Sequence, residues 1–198
     1  MRDYSGTIEK VCLLLSANDR VGASRVIDNE YRFDPIQKSG RNYTPRAMTR
    51  VFARDGFIDR YRGTRLVFPP VLRLLSAYLP NEFPYQKNAK MSECHMSYWE
   101  LLPTIDHVVP VARGGSDSKE NWVSCSMLTN SIKSNWTLEE LQWQLSPPGD
   151  LSVWDGMVGW FTQQVSSNPS VLEIPYVKRW HGPAVELVAQ KDAQDGRP

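Results

Sequence analysis

One stretch of the sequence, TIDHVVPVARGGSDSKENWVSCSMLTNSIKSNWT, constrains the fold of this chain more than any other. It begins at Thr104 with TIDHVVPV, whose β-branched residues favour a strand. The turn-rich ARGGSDSKEN follows, then the short apolar segment NWVSCS, and LTNSIKS has the composition of a helix start. The stretch therefore predicts a strand, a loop, a second strand and a helix, a unit that can hold polar side chains around one metal ion.

The polar residues of this stretch suit the hydrolysis of a phosphodiester bond, which needs a base and a cation at the phosphate. His107 is a candidate base because imidazole titrates near neutral pH, and Asp106 offers a hard oxygen ligand. Adjacent strand residues point to opposite faces, so these two share a site only at a twisted strand end or a bulge. Asn121 is positioned to fold back on the loop after His107 and to fix it by side-chain hydrogen bonds. Asn130 opens the helix as a second oxygen donor, and Lys133, one turn later, would meet a phosphate.

Together these residues resemble the motif of the HNH endonucleases, whose ββα-metal fold is of the α+β class. Taken singly, an Asp-His pair, a Gly-Gly or an Asn before a strand is most often a surface or turn feature. The resemblance rests on their joint spacing. The matching positions are Asp106, His107, Pro110, Gly114, Gly115, Asn121, Asn130 and Lys133.

The resemblance implies a role for each motif residue. It implies that His107 is the general base and that Asn121 orients the loop that carries it. It implies that Asp106 and Asn130 are metal ligands. Since Asn130 replaces a more usual His with a neutral oxygen ligand, we expect Mg²⁺ or Mn²⁺ as the cofactor.

Many HNH proteins also carry two Cys-x-x-Cys pairs that bind a structural zinc ion, and this chain departs from that pattern. The first pair would lie in RDGFIDRYRG, at residues 54–63, and the second just before Asn130. Without thiolates a tetrahedral sulfur site is not available, so no structural zinc is expected. A direct pair between the side chains of Asp59 and Arg62, and apolar packing of the segment after Gly63, are the expected substitutes. The four cysteine positions hold Asp59, Arg62, Ser126 and Thr129.

The rest of the chain predicts helices on either side of this unit. We expect an N-terminal helical segment over 1–45 and a nuclease-like domain over 46–137 with a helical insert at about 69–100. A C-terminal helical segment follows over 138–188, and the composition of 189–198 predicts a disordered tail. RAMTRVFARDG reads as a helix that stops at Gly56, FIDRYRGTRLVF as two short strands, and LSVWDGMVGWFTQQV as a helix.

Charge divides the chain into a basic and an acidic part. Residues 1–90 hold 16 Lys and Arg against 9 Asp and Glu, whereas the remainder holds 7 against 13. A polyanion such as double-stranded DNA is therefore the expected partner of the first part. Arg46, Arg50 and Arg54 repeat every four residues and would line one helix face, and Arg113 lies in the motif itself. The alternative is a solvated face paired with nearby acids.

Composition limits the other possibilities. The chain is 41% hydrophobic and has seven Trp, which is enough for a core, and no apolar run approaches the length of a membrane span. Three cysteines without paired spacing indicate reduced thiols in a cytoplasmic protein. The sequence does not predict the oligomeric state.

The favoured function is therefore a metal-dependent DNA endonuclease, with restriction or defence as the expected setting. One alternative is a nucleic-acid-binding module with a catalytically inactive HNH fold. A second is a winged-helix DNA-binding module, with RAMTRVFARDG as its recognition helix and FIDRYRGTRLVF as its wing.

Overall fold

The structure, a computed structural model, describes residues 3–33 and 43–195. The chain divides into two compact units, Met1–Gly40 and Arg41–Pro198. In the described part of the first unit, helix α1 (Ser5–Ser16) packs against helix α2 (Arg20–Glu30). The Asp19 side chain caps α2 by accepting the amide of Gly22 at 2.8 Å.

The second unit contains the predicted strand, loop, strand and helix. Strand β1 (Pro103–His107) pairs antiparallel with β2 (Trp122–Ser126), in a register that places Asp106 opposite Val123 and His107 opposite Trp122. A 3-10 turn, Val111–Arg113, lies in the connecting loop, and helix α6 (Met127–Lys133) follows β2 directly. The α+β class predicted from the sequence is confirmed, since helices surround this two-stranded sheet.

Further helices complete the described part of the second unit. The remaining elements are α3 (Pro45–Arg54), α4 (Pro69–Tyr78), α5 (Ser97–Glu100), α7 (Leu138–Leu141), α8 (Val158–Ser167), a 3-10 helix (Pro169–Glu173) and α9 (Pro175–Asp195). Helix α7 begins with a capping box, in which Thr137 and Glu140 bond each other's backbone amides. The prediction of two strands over FIDRYRGTRLVF is wrong, because this segment forms only one bridge, between Ile58 and Arg65.

The main core is an aromatic cluster in which α3, α4, α8 and α9 meet. Phe68, just before α4, makes edge-to-face contacts with Phe57, Phe161 and Trp180, at ring-centroid distances of 6.1, 5.5 and 5.4 Å. Phe52 of α3 stacks on Trp180 of α9. Helices α8 and α9 thus share one core with α3 and α4, which precede the sheet in the chain.

Two C-terminal predictions differ from the structure. The helix expected over 151–165 begins only at Val158, because Gly156 has φ +69° and Asp155 accepts the amides of Met157 and Gly159 in a turn. The turn lies against the core, since a Cβ on Gly156 would fall 2.3 Å from the Phe57 ring. Helix α9 continues to Asp195, beyond residue 189 where a disordered tail was expected. In the described residues no helix is long and apolar enough to cross a membrane.

Candidate active site

The end of β1 places Asp106 in a buried polar cluster. Its Oδ2 accepts hydrogen bonds from the Tyr61 hydroxyl at 2.6 Å and from Lys133 Nζ at 2.9 Å. Burial and the neighbouring Asp106 charge raise the pKa of Tyr61 well above its usual range, so its hydroxyl stays a donor. No bond is present to Asp106 Oδ1 from any described residue. Tyr61 and Lys133 therefore bind one carboxylate oxygen of Asp106, and the other oxygen has no hydrogen-bond donor among the described residues.

Lys133 is the residue whose placement differs most from its predicted role. It is 0% exposed, and its Nζ donates to the His107 carbonyl at 2.8 Å as well as to Asp106. A buried ammonium is stable only when paired, and this one is paired. The expected phosphate contact does not fit this placement. Lys133 instead ties α6 to the end of β1 and holds Asp106 and the His107 backbone together.

Asn130 faces the same strand from α6. Its Nδ2 donates to Thr104 Oγ1 at 2.9 Å and to the Ile105 carbonyl at 3.3 Å. Because both neighbours accept hydrogen bonds, these contacts identify the nitrogen and the oxygen of the side-chain amide. No described residue donates to its Oδ1. Asn130 and Asp106 therefore each offer one unbonded hard oxygen at the β1–α6 junction, which is the donor chemistry that Mg²⁺ or Mn²⁺ requires.

The described residues fit a sparsely ligated metal better than a closed protein cage. Among them, no three His, Cys, Asp or Glu side chains are grouped closely enough to bind a metal ion. Mg²⁺ is commonly held by one or two protein oxygens and keeps several waters or substrate phosphate oxygens. Asp106 and Asn130 are suited to that kind of site.

His107 is buried and is held by a carboxylate that the sequence prediction missed. Its Nε2 lies 2.8 Å from Asp117 Oδ1, and Trp122 Nε1 donates to the same Asp117 oxygen at 2.9 Å. The bond to His107 is the largest cause of a lowered pKa of Asp117, and the bond from Trp122 lowers it further. Asp117 lies among Gly, Ser and Lys in the loop, where an acid has no distinguishing pattern. Its distance of ten residues from His107 was the only available signal.

Asn121 bonds the backbone of the loop in the way that its predicted orienting role requires. Its Oδ1 accepts the Val109 amide at 2.9 Å, and its Nδ2 donates to the carbonyls of Val109 and Ser116, each at 2.8 Å. Gly115 is required at this closure, because a Cβ there would lie 1.9 Å from the Val109 carbonyl oxygen. The amide of Asn121 thus fixes both ends of the turn between His107 and β2.

The four positions at which the sequence resemblance would place cysteines form a hydrogen-bonded junction in this chain. Asp59, 0% exposed, accepts the amides of Tyr61 and Arg62 at 3.0 and 3.2 Å and the amide of Ser126 at 3.0 Å. The Ser126 hydroxyl bonds the Thr129 hydroxyl at 2.9 Å and accepts its amide. The expected ion pair between the Asp59 and Arg62 side chains is wrong, because Asp59 bonds the Arg62 backbone amide and the described contacts include no ion pair between the two.

A second buried carboxylate, Asp55, reinforces this junction. Its Oδ2 accepts the amide and the hydroxyl of Ser124 in β2, at 2.7 and 3.0 Å. Arg54 and Arg60 both pair with its Oδ1, at 2.9 Å. Arg54 also donates to the backbone carbonyls of Lys119 and Trp122. Arg54 therefore binds the protein's own strand and loop, which leaves little of its guanidinium for a phosphate.

The other arginines with a predicted DNA-binding role have different surroundings. Arg46 pairs through two nitrogens with the carboxylate of Glu186 on α9, whereas Arg50 is exposed and has no ion pair within the described part of the chain. Arg113 is about half exposed, and makes long contacts of 3.4 Å to the Asn135 carbonyl and to Glu140. Arg50 and Arg113 are therefore the members of this set that are most available to a polyanion.

The winged-helix interpretation does not agree with the fold. Helix α3 buries Thr49, Val51 and Phe52 and packs along α9, and the segment expected to form a wing has only the Ile58–Arg65 bridge. That segment is bonded to β2 instead, through Asp59, and Asp55 at the end of α3 also bonds β2. The helix and the segment after it therefore support the sheet.

Comparison with known proteins gives one match. Residues 92–138 match the model of a family described as HNH endonuclease, and this range contains β1, the loop, β2 and α6. The segment with the first pair of replaced cysteine positions precedes the matched range. Neither the search of curated proteins nor the search of solved structures gave a match. Residues 92–138 are therefore similar to an HNH endonuclease domain, a kind of domain with nuclease activity on nucleic acids.

Proposed function

We propose that this chain is a metal-dependent endonuclease that hydrolyses phosphodiester bonds in double-stranded DNA. The observation that carries the proposal is the arrangement at the end of β1 within the matched HNH segment. There, His107 has one ring nitrogen held by Asp117, and Asp106 and Asn130 each keep an unbonded oxygen. A base at the end of β1 and two hard oxygen donors at the β1–α6 junction are the kinds of group that hydrolysis of a phosphodiester requires.

In this mechanism each residue has a defined task. His107 accepts a proton from the attacking water at Nδ1, the nitrogen that has no hydrogen-bond partner among the described residues. Asp106 and Asn130 would hold the cation, and a bound Mg²⁺ or Mn²⁺ supplies positive charge at the scissile phosphate and the leaving oxygen. Tyr61 and Lys133 fix the orientation of Asp106, and Asn121 fixes the loop after His107.

The test is cleavage of supercoiled plasmid by the purified full chain with Mg²⁺ or Mn²⁺ and with EDTA. We expect nicked or linear product that depends on the metal, and a loss of rate of about 10²- to 10⁴-fold in His107→Ala. His181→Ala is the matched control, since His181 lies on α9 outside the site and its removal should leave the rate unchanged. Full activity in His107→Ala would exclude His107 as the base.

The same experiment separates the proposal from its alternatives. A shifted but intact plasmid under all metal conditions would indicate a binding module with an inactive HNH fold. When the assay is repeated with an RNA substrate, cleavage of RNA but not of the plasmid would assign RNA as the substrate. The expected role in restriction or defence stays a prediction, and cleavage that differs between base-modified and unmodified plasmid would support it.

A further inference from the structure

We propose that Asp117 is a positioning residue for catalysis, which holds Nε2–H of His107 and thereby keeps Nδ1 as the proton-accepting nitrogen. This inference rests on the proposed nuclease function and adds a residue to it. Two side chains approach the ring at Nε2. Asp117 Oδ1 lies 2.8 Å from His107 Nε2, and Trp122 Nε1 lies 3.1 Å from it. One of these neighbours accepts hydrogen bonds and the other donates them, so the two would select opposite tautomers.

The distances decide between the two tautomers. If the proton were on Nδ1, the lone pair of Nε2 would face the Asp117 carboxylate at 2.8 Å, which is repulsive. If the proton is on Nε2, that contact is a hydrogen bond to a carboxylate, and the Trp122 N–H is satisfied by Asp117 Oδ1 at 2.9 Å. Each N–H then has an acceptor. The geometry therefore favours the Nε2–H tautomer, and leaves the lone pair on Nδ1.

Asp117 is itself held in place by the loop. Its Oδ1 is the acceptor for Trp122 and also lies 3.4 Å from the Tyr43 hydroxyl. The preceding residue, Ser116, is fixed through its carbonyl by the Asn121 side chain at 2.8 Å. Asn121 therefore acts on His107 at a distance, because it closes the loop that presents the Asp117 carboxylate to the imidazole.

The first test reads the tautomer directly, independently of cleavage. Imidazole ¹⁵N NMR on the full chain, at a pH where the ring is neutral, distinguishes the protonated nitrogen, and loss of a signal in His107→Gln assigns it among the three histidines. We expect Nε2–H in the wild type. In Asp117→Ala only the Trp122 donor remains near Nε2, so we expect the proton to move to Nδ1. Nδ1–H in the wild type, or an unchanged tautomer in Asp117→Ala, would overturn the proposal.

The second test is kinetic and uses a matched acid from the same loop. Asp117→Ala should lower kcat by about 10²-fold with little change in KM, because the wrong tautomer removes the base without removing a substrate contact. Glu120→Ala removes an exposed carboxylate three residues away and should leave kcat unchanged. The Asp117 side chain is 41% exposed, so we expect its variant to fold, which its melting curve will show. An unchanged kcat in Asp117→Ala would refute the assignment.

The two tests also separate failure of this proposal from failure of the proposed function. If the wild type cleaves no nucleic acid under any metal condition, the nuclease function fails, and the NMR measurement still decides whether Asp117 sets the tautomer. If the wild type cleaves but Asp117→Ala behaves as wild type in both measurements, the nuclease function stands and the positioning role is refuted.

Discussion

The carboxylate of Asp59 accepts the backbone amide of Ser126 at 3.0 Å, and this bond joins the two segments that hold the replaced cysteine positions. Here a single buried carboxylate accepts three backbone amides, from Tyr61, Arg62 and Ser126. The Asp59 carboxylate therefore joins the segment at residues 59–62 to the end of β2.

Replacing Asp59 should show how much this junction contributes to the free energy of unfolding. We expect Asp59→Ala to lower the free energy of unfolding by about 3 kcal/mol or more, because it leaves buried amide donors without an acceptor. Asp59→Asn keeps the shape and one acceptor oxygen and should cost less. Chemical denaturation measures both, with the exposed Asp192→Asn as the control. Wild-type stability in Asp59→Ala would show that the junction is dispensable.

The metal content of the purified protein separately tests the expectation that it holds no structural zinc. We expect no stoichiometric zinc by elemental analysis, and no change in melting temperature when a strong chelator is added, since Asp59, Arg62, Ser126 and Thr129 offer no thiolate. One tightly bound zinc per chain would contradict this. Cys94 and His95 would then be the first ligands to examine, although the His95 ring already stacks on Phe83 at 4.2 Å.

Removing only one partner of the ion pair between Lys133 and Asp106 should strongly destabilise the fold. We expect Lys133→Met to lower the free energy of unfolding by about 3 to 5 kcal/mol, because Asp106 is left buried with one neutral partner, Tyr61. The double variant Lys133→Met with Asp106→Leu removes both charges and should recover part of the loss. Thermal melts of the two variants provide the comparison. A double variant that is less stable than Lys133→Met would argue against an unpaired charge as the cause.

Alkaline pH should weaken the core through Tyr176. Burial raises the pKa of Tyr176 to about 12, above the value of about 10 expected in the unfolded chain. The folded state therefore favours the neutral phenol, and its contribution to stability is complete below pH 10 and is lost as the pH rises through 12. Between these values we expect the free energy of unfolding to fall less steeply in Tyr176→Phe than in the wild type, with the exposed Tyr78→Phe as control. Equal slopes in the Tyr176 variant and the wild type would contradict the shift.

The sequence predicts the order of the site elements well because that order depends on local patterns. The β-branched run before His107, the Gly-Gly turn and the Asn after the loop are each read from neighbouring residues. The partners of charged side chains are different, because they come from distant parts of the chain. Arg46 pairs with a residue 140 positions away, and the buried position of Lys133 depends partly on Tyr61, far before it in the sequence. The helical periodicity of the sequence predicts that these cations lie on helix faces, but it does not indicate which residues each face contacts.

Asp117 shows a different limit of sequence reasoning. It was indistinguishable from a turn residue, since Ser, Asp and Gly are what any exposed loop contains. Its contact with His107 exists only once Asn121 has closed the loop through Val109 and Ser116. The predicted orienting role of Asn121 and the missed carboxylate are thus parts of one structure, of which the sequence pattern indicated the first.

The arginines of α3 allow a test of where DNA binds. Arg46 is neutralised by Glu186, whereas Arg50, one turn later, is exposed. If α3 faces DNA, Arg50→Ala should weaken binding to all sequences alike. It should also flatten the dependence of log K on log salt by about 0.9, the value for a single phosphate that is no longer neutralised. Fluorescence anisotropy of a labelled duplex over a range of salt concentrations gives both quantities.

The matched control for this prediction removes a pair without changing net charge. The double variant Arg46→Ala with Glu186→Ala deletes the ion pair between α3 and α9, so we expect its salt dependence to match that of the wild type. Lys178→Ala removes one positive charge from α9 and reports the effect of net charge alone. If Arg50→Ala and Lys178→Ala give the same small change, α3 is a solvated face. Arg113, which lies in the loop that follows β1, would then be the next cation to replace.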